Sequence, residues 1–210
     1  MLVDIEKVAA ITAEVCRRML ALDPARVPIG VSNRHVHLDQ ADLYTLFGLD
    51  AFEVLKPVRQ PGEFAAVQRV DVIGPRATFK NVRCMGPCRK ASQVELSLTD
   101  ARALGIQAPV TQSGHLENAA WVEIVGPHGT VRRQAAIAAA RHIHMGDRHA
   151  AALGLQNQDL VRVAFEGTRG GVLDNFIIRT KPEWVPEIHL DTDEANALGV
   201  TSEDFGRIVR

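Results

Sequence analysis

Short runs of alternating apolar and polar residues dominate the chain, and a period of two predicts strands rather than long helices. Strands are expected at 27–32 (VPIGVS), 70–75 (VDVIGP), 82–87 (VRCMGP), 93–98 (QVELSL) and 121–127 (WVEIVGP), three of them closing on Gly-Pro, and again at 160–166 and 172–179. Between them lie short helical signals. Asp39 caps one over 39–47 that Gly48 closes, Thr99-Asp100-Ala101 opens another that ends at Gly105, and a third covers 148–153. Residues 49–66 contain Lys56-Pro57 and Gln60-Pro61-Gly62, punctuation that predicts a turn-rich insertion. One longer helix is expected at 4–22, where Ile5, Val8, Ile11, Val15, Met19 and Leu22 repeat at helical spacing and Asp23-Pro24 stops the pattern.

The second half replays the grammar of the first. Arg34-His35-Val36-His37-Leu38 returns as Arg141-His142-Ile143-His144-Met145. Val94-Glu95-Leu96, followed by Ala-x-Ala-Leu-Gly-Ile, returns as Ile188-His189-Leu190, followed by Ala-x-Ala-Leu-Gly-Val, which makes Glu95 and His189 equivalent. An internal duplication of short strands, without helices long enough for βαβ crossovers, predicts a mainly β fold of two small, mostly antiparallel barrels with short helices. The insertion at 49–66 accounts for the greater length of the first half.

Two histidines two apart on a strand point to the same face, which is a chelating arrangement. Each half then offers three ligands: His35, His37 and Glu95, and His142, His144 and His189. Three protein ligands leave a coordination position open, as in catalytic zinc sites, and imidazole with carboxylate suits zinc or another first-row metal. Arg89, in Gly86-Pro87-Cys88-Arg89-Lys90 just ahead of Glu95, could approach the same metal with a donor fork suited to phosphate. A one-site His-x-His protein would not duplicate the motif. Amidohydrolase chemistry, which also begins on His-x-His, needs a larger barrel of alternating strands and helices. No serine sits in a Gly-x-Ser-x-Gly context. A non-enzymatic module with structural metals would close each site with four ligands.

Composition narrows the setting. The 210 residues are 46% hydrophobic with only 5% aromatic, so Val, Ile, Leu and Ala must fill the cores. A formal charge of -1 offers no general attraction to nucleic acid or an anionic membrane. Cys16, Cys84 and Cys88 form no disulfide framework and point to a reducing cytoplasm, and Cys84 and Cys88 read as buried, inert thiols. No signal peptide and no membrane span is visible in the sequence.

The runs VPIGVSNRHVHL (27–38), MGPCRKASQVE (85–95), RHIHM (141–145) and EIHLDTDEANALG (187–199) resemble those of the phosphate propanoyltransferase (phosphotransacylase) family, in the same order over 27 to about 200. The resemblance implies exchange of an acyl group between coenzyme A and phosphate, with propanoyl-CoA or acetyl-CoA, at a two-zinc site between two β-barrels. It implies His35, His37 and Glu95 on one zinc, His142, His144 and His189 on the other, and Arg89 as the phosphate-binding catalytic arginine. Coenzyme A contacts fall on Ser32, Lys56, Arg83 and Asn196. One barrel would take 25–33 and 140–210, the other 34–139, after an N-terminal helical segment 1–24. A homo-oligomer is expected, in the cytoplasm or in the lumen of a bacterial microcompartment of propanediol degradation. The helix at 4–22 would either reach shell or core proteins there or pack on its own domain. Cys84 and Cys88 replace expected aliphatic residues, and 110–120 matches loosely.

Overall fold

The computed structural model describes residues 23–209. The helix expected at 4–22, and Cys16 with it, lie outside the described residues. Fourteen strands are short, and four short helices stand among them in the described residues. The mainly β expectation holds. The described chain divides into two compact units, one with the chain up to Gly30, His142–Ile188 and the part from Leu198 on, the other with Val31–Arg141 and His189–Ala197.

One ring of strands follows the first His-x-His. β2 (His35–His37) pairs in parallel with β5 (Thr78–Gly86) and antiparallel with β6 (Gln93–Glu95). β5 continues antiparallel to β4 (Phe64–Ile73), β4 to β8 (Ala120–Val125) and β8 to β9 (Thr130–Ala139), and β9 returns in parallel to β6. Six strands therefore close on themselves, which removes their edges. β3 (Val54–Pro57) and β7 (Val110–Thr111) add to the outside of β4 and β9. The core is aliphatic, as the scarcity of aromatic residues requires: Val36, Leu38, Leu43, Leu46, Val72, Val94 and Ile124 are fully buried.

The second ring runs β1 (Arg26–Ser32), β13 (Glu187–Asp191), β10 (His142–Met145), β12 (Gly171–Thr180), β11 (Leu160–Phe165) and β14 (Phe205–Val209), which pairs back to β1. Its pairings repeat those of the first. β10 and β12 are parallel as are β2 and β5, and β11 is antiparallel to β12 and β14 as β4 is to β5 and β8. The duplication read from sequence is thus a duplication of topology.

Local chemistry fixes the helices that follow the ligand strands. α1 (Gln40–Phe47) begins at Asp39, whose side chain accepts the Asp42 amide at 2.8 Å, and ends on left-handed Gly48. α2 (Leu98–Leu104) is capped by Ser97 and ends on Gly105, α3 is Asp147–Ala152, and α4 is Thr192–Leu198. Two of the three Gly-Pro turns sit under helix ends. A Cβ at Gly74 would collide with the Leu104 carbonyl, and one at Gly126 with the Leu46 carbonyl, so a side chain is excluded at both turns.

The segment 49–66 combines turns with short strands. It holds β3 and the start of β4, joined by a turn in which the Glu63 amide donates to the Gln60 carbonyl at 3.2 Å. Pro57 ends a strand whose outer edge needs no donor, and Pro61-Gly62 makes the turn, with Gly62 at φ 80. Prolines that argue against central strands are compatible with this edge hairpin.

Candidate metal centre

Among the described residues, two groups converge their nitrogen and oxygen atoms within 4.8 Å: His35, His37 and Glu95, and His142, His144 and His189. Strand geometry is the cause of the first. His35 lies directly opposite Glu95 in the β2–β6 register, and His37 shares its face, two residues on. His35 Nε2 and His37 Nε2 are 3.2 Å apart, and each lies 3.7 Å from a Glu95 carboxylate oxygen. Zinc bonds of about 2.0–2.2 Å in a tetrahedron put ligand atoms roughly 3.3–3.6 Å apart, so this donor set fits such an ion.

Neighbours orient the set. His35 Nδ1 is 2.9 Å from the Asn33 carbonyl, an acceptor only, so Nδ1 carries a hydrogen and Nε2 is the ring atom that faces Glu95. Glu95 Oε1 accepts from Gln93 Nε2 at 2.5 Å and from the Ser113 hydroxyl at 2.9 Å. Ser113 in turn accepts from Gln93 Nε2 at 2.8 Å and from Arg89 Nη1 at 2.9 Å, which uses its one donor and both acceptor positions. Arg89 Nη1 is 3.8 Å from Glu95 Oε1, and 33% of the Arg89 side chain remains exposed.

Burial drives the His37 pKa well below the ordinary histidine value, helped by the charges of His35 and Arg89 and opposed by Glu95 and the Met85 backbone. Burial alone would raise the Glu95 carboxyl, but His35, His37, Arg89 and the Ser113 hydrogen bond together hold it well below the usual carboxylate range. Neutral imidazoles and an ionised carboxylate are the protonation states a metal requires.

The second group is imidazole only. In the closed barrel β13 neighbours β10, and the His142 and His144 rings lie 4.7 Å apart between centroids. Trp184 stacks on His144 at 3.9 Å and 31°, while the Lys181 ammonium and the Arg179 guanidinium lie 4.5 and 5.8 Å from the indole centroid. The two groups therefore differ in charge and cover: a carboxylate beside Arg89 in one, a third histidine and an indole in the other.

The coenzyme A candidates separate. Ser32, at the end of β1, has its hydroxyl 3.3 Å from His35 Nδ1, beside the first group. Arg83 lies opposite His35 in the β2–β5 register, but its Nη1 donates to the Ala66 and Val67 carbonyls at 2.7 and 3.2 Å, which ties β5 to β4. Lys56 stands exposed on edge strand β3, and Asn196 is exposed on α4. Cys84 is buried and its thiol is pushed up to about 12 by burial, whereas Cys88 is half-buried, which corrects the expectation of two buried thiols. Sequence reasoning passed over Gln93, Ser113 and Trp184. For Ser113 the signal is the non-periodic polar cluster Gln112-Ser113-Gly114, where Gly114 takes φ 99.

The two closed barrels and two His-rich groups define a duplicated mainly-β protein with the donors for two metal ions. A family description for phosphate propanoyltransferase matches residues 28–201. Among curated relatives, the phosphate propanoyltransferase of Levilactobacillus brevis is 47% identical over 190 residues, covering 90% of this chain and 91% of its own. That of Thermotoga maritima is 43% identical over 196 residues (91% and 92%), and that of Salmonella typhimurium 44% over 186 (87% and 89%). The chain belongs to the phosphate propanoyltransferase family.

Proposed function

We propose that this chain is a metal-dependent phosphate acyltransferase that interconverts propanoyl-CoA plus phosphate with propanoyl phosphate plus coenzyme A, with acetyl-CoA as a second acyl donor. Its family supports the acyl transfer. The observation that carries the site assignment is the placement of Arg89 against Glu95 within the His35, His37 and Glu95 group.

In this reading His35, His37 and Glu95 hold one zinc ion and His142, His144 and His189 the other. When bound, the metals supply positive charge that polarises the thioester carbonyl and favours the phosphate anion. The chain's own groups do the rest. Arg89 offers the dianion a donor fork, and Ser113 fixes the angle of that fork by accepting from Nη1. A phosphate oxygen then attacks the thioester carbon, the carbon–sulfur bond breaks, and the thiolate of coenzyme A leaves with no covalent enzyme intermediate. Positioning and charge complementarity account for the acceleration. Ser32 and Lys56 would meet coenzyme A. Arg83 serves the fold through its backbone contacts and reaches coenzyme A only with its other nitrogens.

Phosphate-dependent release of coenzyme A from propanoyl-CoA and acetyl-CoA, assayed with wild type and Arg89→Lys, tests this. The reading expects turnover with both donors and a higher KM for phosphate in the variant. Turnover that is independent of phosphate would instead indicate a thioester hydrolase.

No helix among the described residues is long and apolar enough to cross a membrane. The propanediol-degrading microcompartment, homo-oligomer and shell-protein assignments rest on the family resemblance. Deleting residues 1–22 and measuring co-purification with shell proteins tests the last.

A further inference from the structure

In both halves an arginine directly precedes the His-x-His pair, a carboxylate follows five residues after the third member of the group, and the two meet. Arg34 Nε donates to Asp100 Oδ2 at 2.9 Å and Nη2 to Oδ1 at 2.7 Å, a two-toothed pair in which Asp100 is 9% exposed. Arg141 Nε meets Glu194 Oε1 at 2.7 Å. The acids hold equivalent places in their helices. The Asp100 amide donates to Ser97 Oγ at 3.2 Å in the first turn of α2. The Glu194 amide donates to Asp191 Oδ1 at 2.9 Å, and the Asp191 amide returns a bond to Glu194 Oε2 at 3.2 Å. Ser97 and Asp191 each stand two residues past Glu95 and His189. Each arginine thus ties the strand carrying two histidines to the segment carrying the third donor.

The pairs persist where their surroundings have diverged. The third donor is a glutamate in one half and a histidine in the other, and the residues ahead of it carry Arg89 in one and Trp184 in the other. Isolated ion pairs on a surface contribute little to stability. A pair that fixes the register of a ligand strand has a different use, because outer contacts set how well a donor group is formed before an ion arrives.

We infer that Arg34 and Arg141 are positioning residues, each holding one His-x-His strand against the third donor of its group, so that each group is assembled ahead of metal binding. The inference rests on the metal reading above. Neither arginine is itself a donor to the ion.

Competition between the apo-protein and a chromophoric zinc chelator tests it, using wild type, Arg34→Gln, Asp100→Asn, Arg141→Gln and Glu194→Gln, with apo melting temperatures measured alongside. Wild type should take up two equivalents. Arg34→Gln and Asp100→Asn should each weaken one equivalent by about 10- to 100-fold and leave the other unchanged. Arg141→Gln and Glu194→Gln should weaken the other equivalent, and combining Arg34→Gln with Asp100→Asn should add little to either alone. If an arginine variant does not fold, its carboxamide partner variant, which keeps shape, decides. Unchanged affinity at both equivalents, or equal loss at both in every variant in step with the melting temperature, overturns the positioning role and leaves the metal reading intact. A wild type that takes up no zinc overturns the metal reading, and this inference with it.

Discussion

The Thr99 backbone amide donates to the Asp193 carboxylate at 2.8 Å, and these two residues are repeat equivalents, each four places beyond the third donor of its group. Asp193 thus supplies α2 with a second cap beside Ser97, from the first turn of α4. Because a lost cap costs about 1 kcal/mol, Asp193→Ala should lower stability by that order in urea unfolding. Zinc uptake should stay unchanged. Loss of a zinc equivalent in this variant would show that the contact serves the sites rather than the helix.

The turns beneath the helix ends admit no side chain. Gly74→Ala drives a methyl into the Leu104 carbonyl and Gly126→Ala into the Leu46 carbonyl. Overpacking of this kind costs about 1–3 kcal/mol. Each variant should show a lower denaturant midpoint with an unchanged m-value, and a midpoint equal to wild type would mean that the turn can shift aside.

Ser113 connects Glu95 and Arg89 through hydrogen bonds that only a hydroxyl of this reach completes. Ser113→Ala leaves the Arg89 fork without that acceptor. A hydrogen bond to a charged group is worth about 1.5–3 kcal/mol, so the KM for phosphate should rise roughly tenfold or more. The KM for propanoyl-CoA should change little. Equal changes in both constants would place Ser113 outside phosphate binding.

Acid should act through His149 as well as through the buried His37. His149 Nε2 donates to the Pro24 carbonyl at 2.8 Å, yet burial outweighs that bond and lowers the His149 pKa below the ordinary value. The unfolded chain therefore takes up a proton near pH 6.5 while the folded chain does not. Stability from this group is complete above that pH and declines as the pH falls through 6.5 toward the folded value. His149→Gln should lessen the wild-type loss of stability between pH 7 and pH 5, read from melting temperatures, with the share that comes from His37 remaining.

Native thiol labelling at pH 8 should spare Cys84, which is buried with a thiol pushed up to about 12, and modify the half-buried Cys88 first. Peptide mass mapping distinguishes the two. Rapid labelling of Cys84 would mean that β5 opens readily from β2.

The fold class was legible because alternation and repetition are local signals: the period of two in 93–98 and 121–127, the Gly-Pro turns, and the doubled Arg-His-x-His. The hairpin at 54–73 was not, because β3 is exposed along its whole length and carries no burial alternation. The convergence of six donors into two groups follows from strand periodicity plus duplication. The Gln93 and Ser113 contacts depend on how the loop at 110–116 folds back over β6, and the Trp184 stack on how 181–186 folds over β10, tertiary placements that no period encodes. Arg83 shows the opposite failure, since nothing along the chain indicates that its guanidinium spans to two carbonyls of β4.

Metal-dependent acyl transfer to phosphate is tested most directly by one titration. Purified protein is stripped with a chelator, zinc is returned in steps, and phosphate-dependent release of coenzyme A from propanoyl-CoA is followed. Activity should be absent in the stripped protein, return with zinc, and reach its plateau at two equivalents per chain. Full phosphate-dependent turnover in stripped protein holding no bound metal would contradict the account.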